Sequence, residues 1–283
     1  MNSFYITLLS DGSMDMFPNN TQSNFHIKLP KPIQLNKEEW EMALVELVIP
    51  SQIINISEEE SQFQIVTTKP ALGVQFKKGS NRCGKRHNVH TFYTCIKPGV
   101  YSTPEHLIGE INAVIQDNIG KVLNQSNLTF TFLYSKYMKR AKFNSNTKEI
   151  GLQFHQNLLT KLGGRSEFGV DGDVFPGDKN PFPYGVDLNV GSNHLFIYSN
   201  LADFTFLGNI EAPILRVIPF EYTTKDSNHV HKEFVNLHYV PLAKSSFDEI
   251  GINIRGDTGQ LAQFVGGKSM IKLHFRKKSG LIL

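Results

Sequence analysis

Hydrophobic alternation with a period of two, repeated in one short run after another, is the feature that most constrains what this chain can fold into. In Asn24 to Leu29, Phe25, Ile27 and Leu29 alternate with Asn24, His26 and Lys28. Ile250, Ile252 and Ile254 alternate with Gly251, Asn253 and Arg255, and Ile271, Leu273 and Phe275 with Lys272, His274 and Arg276. Each run reads as a strand with one dry and one wet face, because successive side chains leave a strand on opposite sides. Further strands are expected at Phe4 to Leu9, Trp40 to Ile49, Phe63 to Thr67, Val89 to Ile96, Leu128 to Leu133, Ile150 to Phe154, His194 to Tyr198, Ile214 to Phe220 and Phe234 to Val240.

Two stretches break the pattern. Between Ser102 and Ile119, apolar residues recur at helical spacing, with Pro104 in the first turn and Ser102 three residues before Glu105 as a capping box. A short helix is expected over His155 to Leu162, stopped by Gly163 and Gly164. The Gly, Pro and Asp-rich segment from Gly163 to Gly185 reads as a long exposed loop. Helices thus fall in the middle and strands dominate both ends. The simplest account is one β sandwich built from residues 1–57 and 186–283, with residues 58–185 inserted between two of its strands.

The 283 residues are enough for one large or two smaller β domains. A content of 40% hydrophobic, 19% charged and 11% aromatic residues, with 21 Phe against one Trp, favours packed sheets over disorder. No apolar run approaches the ~20 residues of a membrane-spanning helix. The start, Met1 to Thr7, lacks the pattern of a secretory signal, so the sequons at Asn55, Asn124 and Asn127 are expected to go unused and the two cysteines to stay reduced. A net charge of +3 does not by itself indicate a nucleic-acid-binding domain.

Several segments in order along the chain resemble the minor capsid (penton) proteins of Polinton/Maverick elements and their adintovirus relatives. Phe4-Tyr5-Ile6-Thr7-Leu8, the turn Phe17-Pro18-Asn19-Asn20-Thr21 and the strand Phe25 to Leu29 are similar to that family's opening. Trp40 to Pro50 (WEMALVELVIP) matches its next strand. Ala212-Pro213-Ile214-Leu215-Arg216-Val217-Ile218-Pro219 is the most distinctive block, followed by His238 to Leu242 and Leu273 to Arg276. The resemblance implies an all-β fold, a single jelly-roll sandwich with an inserted, mainly β region containing one or two helices. It also implies a structural, non-enzymatic subunit of the virion capsid, assembled in the host nucleus or cytoplasm. That subunit would form homopentamers at the fivefold vertices beside double-jelly-roll major capsid proteins, with its insertion facing outward.

Chemical constellations add little to that reading. Cys83, His87, His90 and Cys95 carry residue types suited to zinc, but the spacing matches no familiar finger, and a strand over Val89 to Ile96 would put His90 and Cys95 on opposite faces. They are expected to be ordinary thiols and imidazoles, and no metal or cofactor is assigned. His229 and His231 would share a face with Glu233, the pattern of a cupin-like metal-dependent enzyme, although the polar run Thr223 to Asn228 puts them at an exposed strand entrance. The basic residues Lys136, Lys139, Arg140 and Lys142, near Tyr134 and Tyr137, are expected to form a solvated face, and Arg276, Lys277 and Lys278 leave room for weak contact with genomic DNA. There is no G-x-S-x-G elbow and no phosphate-binding glycine loop. A trimeric receptor-binding or lectin-like jelly roll fits the same composition. The tail Leu281, Ile282 and Leu283 is a candidate docking segment.

Overall fold

A computed structural model describes residues 2–67, 90–123, 130–145, 150–164, 172–174, 181–220 and 228–278. In chain order the elements begin with β1 (Ser3–Leu9), β2 (Asn24–Gln34), β3 (Trp40–Pro50), β4 (Gln62–Thr67) and β5 (His90–Cys95). Helix α1 (Pro104–Leu123), β6 (Phe130–Ser135), β7 (Arg140–Ser145), β8 (Ile150–Phe154), α2 (Gln156–Lys161) and β9 (Gly172–Val174) follow. The last part holds β10 (His194–Ser199), β11 (Thr205–Leu207), β12 (Ile210–Ala212), β13 (Ile214–Pro219), β14 (His229–Glu233), β15 (Val240–Pro241), β16 (Ser246–Arg255) and β17 (Met270–Lys277). The chain divides into two compact units, Met1–Ile53 with Gly191–Leu283, and Ile54–Val190.

The first unit is a sandwich of two antiparallel sheets. One runs β1-β17-β3-β14, with β15 also paired to β3, and the other runs β13-β10-β16-β2. Counting only these eight main strands in chain order, the sheets read first-eighth-third-sixth and fifth-fourth-seventh-second. That order is the jelly roll, in which the chain crosses repeatedly between the two sheets. The inner faces follow from the alternation: Phe25, Leu195, Ile197, Ile250, Ile252 and Ile254 from one sheet, and Leu8, Met42, Leu47, Ile271, Leu273 and Phe275 from the other, are all buried. Each such side chain contributes about 1.5–3 kcal/mol by leaving water.

Strand β3 shows how the sequence adjusts its phase. Met42 and Leu44 are buried, and so are Leu47 and Ile49, so the apolar rhythm slips by one residue between them. A strict strand would carry one of these pairs to the wet face. The register against β17 shifts accordingly, Leu273 facing Leu44 while Lys272 faces Glu46, and Val45 is the extra residue. Such a bulge restores the inward direction of both halves. The same slip interrupts the neighbouring edge. The expected strand Phe234 to Val240 is absent; β14 pairs with β3 up to Glu233 opposite Glu46, and β15 resumes with Val240 opposite Met42. The residues between them leave the ladder after Phe234, whose N–H bonds the Val45 carbonyl, and Val235 is 93% exposed.

The second unit joins a sheet of order β5-β4-β8-β9 with the hairpin β6–β7 and helix α1. Phe63, Ile65, Leu152 and Phe154 from the sheet, Leu107, Ile111 and Ile115 from the helix and Phe132 and Phe143 from the hairpin share one core. Phe132 packs edge-on to Phe154 at 5.6 Å between ring centres. Asn112 ties the helix to the hairpin, donating to the Phe132 carbonyl at 2.9 Å and accepting from the Phe132 N–H at 2.7 Å. The helix starts one residue later than the capping-box reading: Thr103 Oγ1 accepts from the His106 N–H at 3.2 Å. This places Pro104 in the first helical position, where a missing N–H costs nothing. The ends of the segment expected as a free loop are fastened to the unit, Gly163 and Gly164 being buried, Tyr184 N–H bonding the Gly163 carbonyl and β9 pairing with β8. Gly163 has φ +85, a conformation that favours glycine.

Candidate functional site

With both inner faces spent on the core, the side chains of the sandwich left to meet other molecules lie on its outer faces and connections. On the sheet β1-β17-β3-β14, the outward residues of β17 are Lys272, His274 and Arg276, as the alternation requires. The Tyr5 ring stacks on His274 at 4.4 Å, and the Tyr239 hydroxyl lies 2.8 Å from His274 Nδ1. Arg276 sits 3.4 Å over the Tyr239 ring and donates from Nε to Glu41 at 2.7 Å. Glu46 receives both Lys272 Nζ at 3.4 Å and His231 Nε2 at 3.0 Å. Burial, and then the nearby Arg276 charge, hold His274 below its ordinary imidazole value, so this imidazole favours its neutral form.

The outer face of β13-β10-β16-β2 carries a cleft of about 360 Å³. Its floor is strand β16 at Gly251, where a Cβ would come 2.8 Å from the His26 ring. Register places Asn24 opposite Asn253 and Asn253 opposite Tyr198, with His26 opposite Gly251 alongside. The Gly251 N–H bonds Asn200 Oδ1 at 2.8 Å, which brings Asn200 into the same cleft. Burial raises the Tyr198 hydroxyl above its ordinary value, with Arg255 opposing, so the phenol stays protonated. Between β10 and β13 the ribbon β11–β12 turns at Gly208 (φ +61) and leaves Phe204, Phe206 and Ile210 exposed, Phe206 by 83%.

The residues singled out in the sequence fall as follows. Cys83 and His87 lie outside the described residues, as do Leu281, Ile282 and Leu283, and His90 is described only as the first position of β5. Cys95, at the end of that strand, is an exposed free thiol. His229, His231 and Glu233 are the exposed positions of β14, on the outer side of the sandwich and not in its interior, where a cupin site would be built. Among the described residues no three His, Cys, Asp or Glu side chains converge on a point. Lys136 pairs with Glu105 at 3.2 Å across an exposed surface, and Tyr137, at the hairpin tip, is 97% exposed. Of the C-terminal basic residues, Arg276 is engaged as above and Lys277 lies 3.5 Å from Glu39. Asn55 is 2% exposed, its amide bonded to both the N–H and the carbonyl of Tyr101, which leaves no room for a glycan. Sequence reasoning missed the Asn24, Tyr198, Asn200 and Asn253 grouping, because their strands meet only through the jelly-roll crossovers; Gly251 within an isoleucine strand was the available signal.

Fold and surfaces together define a class: a single jelly roll with a second, mainly β unit inserted between its third and fourth main strands. The mavirus penton protein, solved by crystallography, has this fold, matching with a TM-score of 0.51 at 10% sequence identity over 98% of this chain and 99% of that one. The Sputnik virophage structure, solved by cryo-EM at 3.5 Å, matches with a TM-score of 0.45 at 13% identity over 98% of each chain. No protein-family model matches the chain, and no curated protein matches it by sequence. Among the described residues no helix is long and apolar enough to cross a membrane.

Proposed function

We propose that this chain is a structural capsid subunit of the penton type, building a vertex of an icosahedral virion and doing no catalysis. The observation that carries the reading is that the likeness to the mavirus penton protein spans both units, the insertion as well as the jelly roll. The ordered resemblance of Phe4 to Leu29, Trp40 to Pro50 and Ala212 to Pro219 to Polinton/Maverick pentons supports it independently. In this reading residues near 1–57 and 186–283 form the capsid wall and residues near 58–185 the appended unit. Five copies form a ring, each offering one flank to the opposite flank of the next, since only a heterologous contact closes a ring of odd number. The ring then seats among major capsid proteins. Cys83, His87, His90 and Cys95 hold no metal in this scheme.

Particle mass measured by analytical ultracentrifugation, with negative-stain imaging of the same sample, tests it. A ring of five is the expected result. A stable monomer at high concentration that never joins major capsid protein overturns it, and a closed trimer would favour the receptor-binding jelly roll instead.

A further inference from the structure

The cleft on the outer face of β13-β10-β16-β2 has a hydrogen-bonding bias that the capsid reading does not use. Arg255 can only donate. Its Nε bonds Asn253 Oδ1 at 2.5 Å and its Nη1 bonds the Gly259 carbonyl at 2.6 Å. Asn253 must therefore present its amide nitrogen to Asn24, whose Oδ1 accepts it at 3.0 Å. That chain of bonds fixes both amide orientations and leaves the Asn24 amino group unspent. Asn200 is fixed the same way, because its Oδ1 is held by the Gly251 N–H and its amino group is free. Among the described residues no partner takes up the Tyr198 hydroxyl, the Asn24 and Asn200 amino groups or Arg255 Nη2. Most of what the cleft has left to offer is donors.

We propose that this cleft binds an acidic saccharide, a sugar bearing a carboxylate. A carboxylate presents only acceptors and suits the free amino groups and the Arg255 charge. A sugar ring supplies further acceptor oxygens and an apolar face, for which the Tyr198 ring and Pro213 form a platform. The volume of about 360 Å³ lies within the range of small-molecule sites. Three adjacent strands span about 10 Å, wide enough for a sugar ring laid across them. Glu249, the carboxylate beside the cleft, is held by His26 Nδ1 at 2.5 Å. Gly251 keeps the floor open.

The test uses the full chain, with 3′-sialyllactose and neutral lactose as probes, read by ligand-observed NMR and calorimetry. Sialyllactose should bind at least tenfold more tightly than lactose. Tyr198→Phe removes one hydroxyl and should weaken sialyllactose several-fold. Asn200→Asp keeps the oxygen that holds Gly251 and adds a charge, so it should weaken binding at least tenfold, with melting temperature and particle mass unchanged as a check on fold and assembly. No binding of sialyllactose at millimolar concentration, equal binding of lactose, or binding indifferent to both substitutions each overturns the proposal. The capsid reading stands or falls separately on particle mass.

Discussion

Lys161 occupies a place where lysines are rarely found. Its side chain is 6% exposed, on the last turn of the short helix α2. The ammonium is fully used, donating to the Asn55 carbonyl at 2.6 Å and to both oxygens of Glu60 at 2.9 Å. Burial by itself would raise the Glu60 carboxyl, but the Lys161 hydrogen bond, the Ser57 N–H and the Lys161 charge outweigh it and hold the group below its ordinary value. The sign follows from linkage. A carboxyl lowered on folding adds stability that is complete above its unfolded value of 4.5 and is lost as pH falls through the lower folded value. Acid should therefore loosen the Ile54–Val190 unit in that window, and tryptic or hydrogen-exchange protection of α2 measured against pH would show it. Lys161→Met should cost about 3–5 kcal/mol by stranding Glu60, and adding Glu60→Gln should recover much of that, since removing both charges is far cheaper than removing one. A double-mutant cycle by chemical denaturation decides this. None of it was legible in the sequence, because Glu60 is one of three consecutive glutamates and its partner lies about a hundred residues on.

Single elements were far easier to read, and the reason is local periodicity. The strands with clean alternation, β1, β2, β10, β16 and β17, stand where the apolar residues put them. The fold class followed from them together with the family resemblance. What failed was the stretch after Asn228, where alternation in Phe234 to Val240 imitated a strand, and the true edge is set by the bulge in a partner nearly two hundred residues earlier. The helix start was displaced by one residue because Ser102 and Thr103 are both good caps by composition, and capping from Thr103 sets Pro104 at the first helical position, which proline favours. The link between α1 and the hairpin was likewise invisible, being a side chain that mimics a strand partner. Asn112→Leu removes both bonds to Phe132 while keeping bulk, and should cost about 1–3 kcal/mol. Faster hydrogen exchange at the Phe132 amide, with unaltered exchange in β16 of the jelly-roll unit, is the expected signature.

At the scale of the whole molecule, the abundance of phenylalanine invites the idea that the excess serves contacts between subunits. Most described phenylalanines have ordinary employment: Phe25 and Phe275 fill the jelly-roll core, and Phe63, Phe132 and Phe154 the core of the second unit. The large exposed phenylalanines among the described residues are Phe204 and Phe206, at 61% and 83%, together on the approach to the β11–β12 ribbon and within it. With Ile210 they make an apolar projection on a connection between main strands, where a jelly roll can vary what it presents without disturbing its sheets. The ring proposed above needs surface on each flank for a neighbouring copy, and this exposed apolar projection is a candidate for it. Burying two phenylalanine side chains is worth roughly 3–6 kcal/mol before the costs of ordering, so their loss should weaken self-association by about a hundredfold. The double substitution Phe204→Ser with Phe206→Ser, measured by sedimentation equilibrium, tests this. The melting curve of the dissociated chain, measured at high dilution, should be unchanged, because neither ring contributes to the core. Undiminished assembly would remove the ribbon from the interface and shift attention to the outer face of the other sheet, where Tyr5 and Leu9 remain exposed beside the Lys272, His274 and Arg276 row.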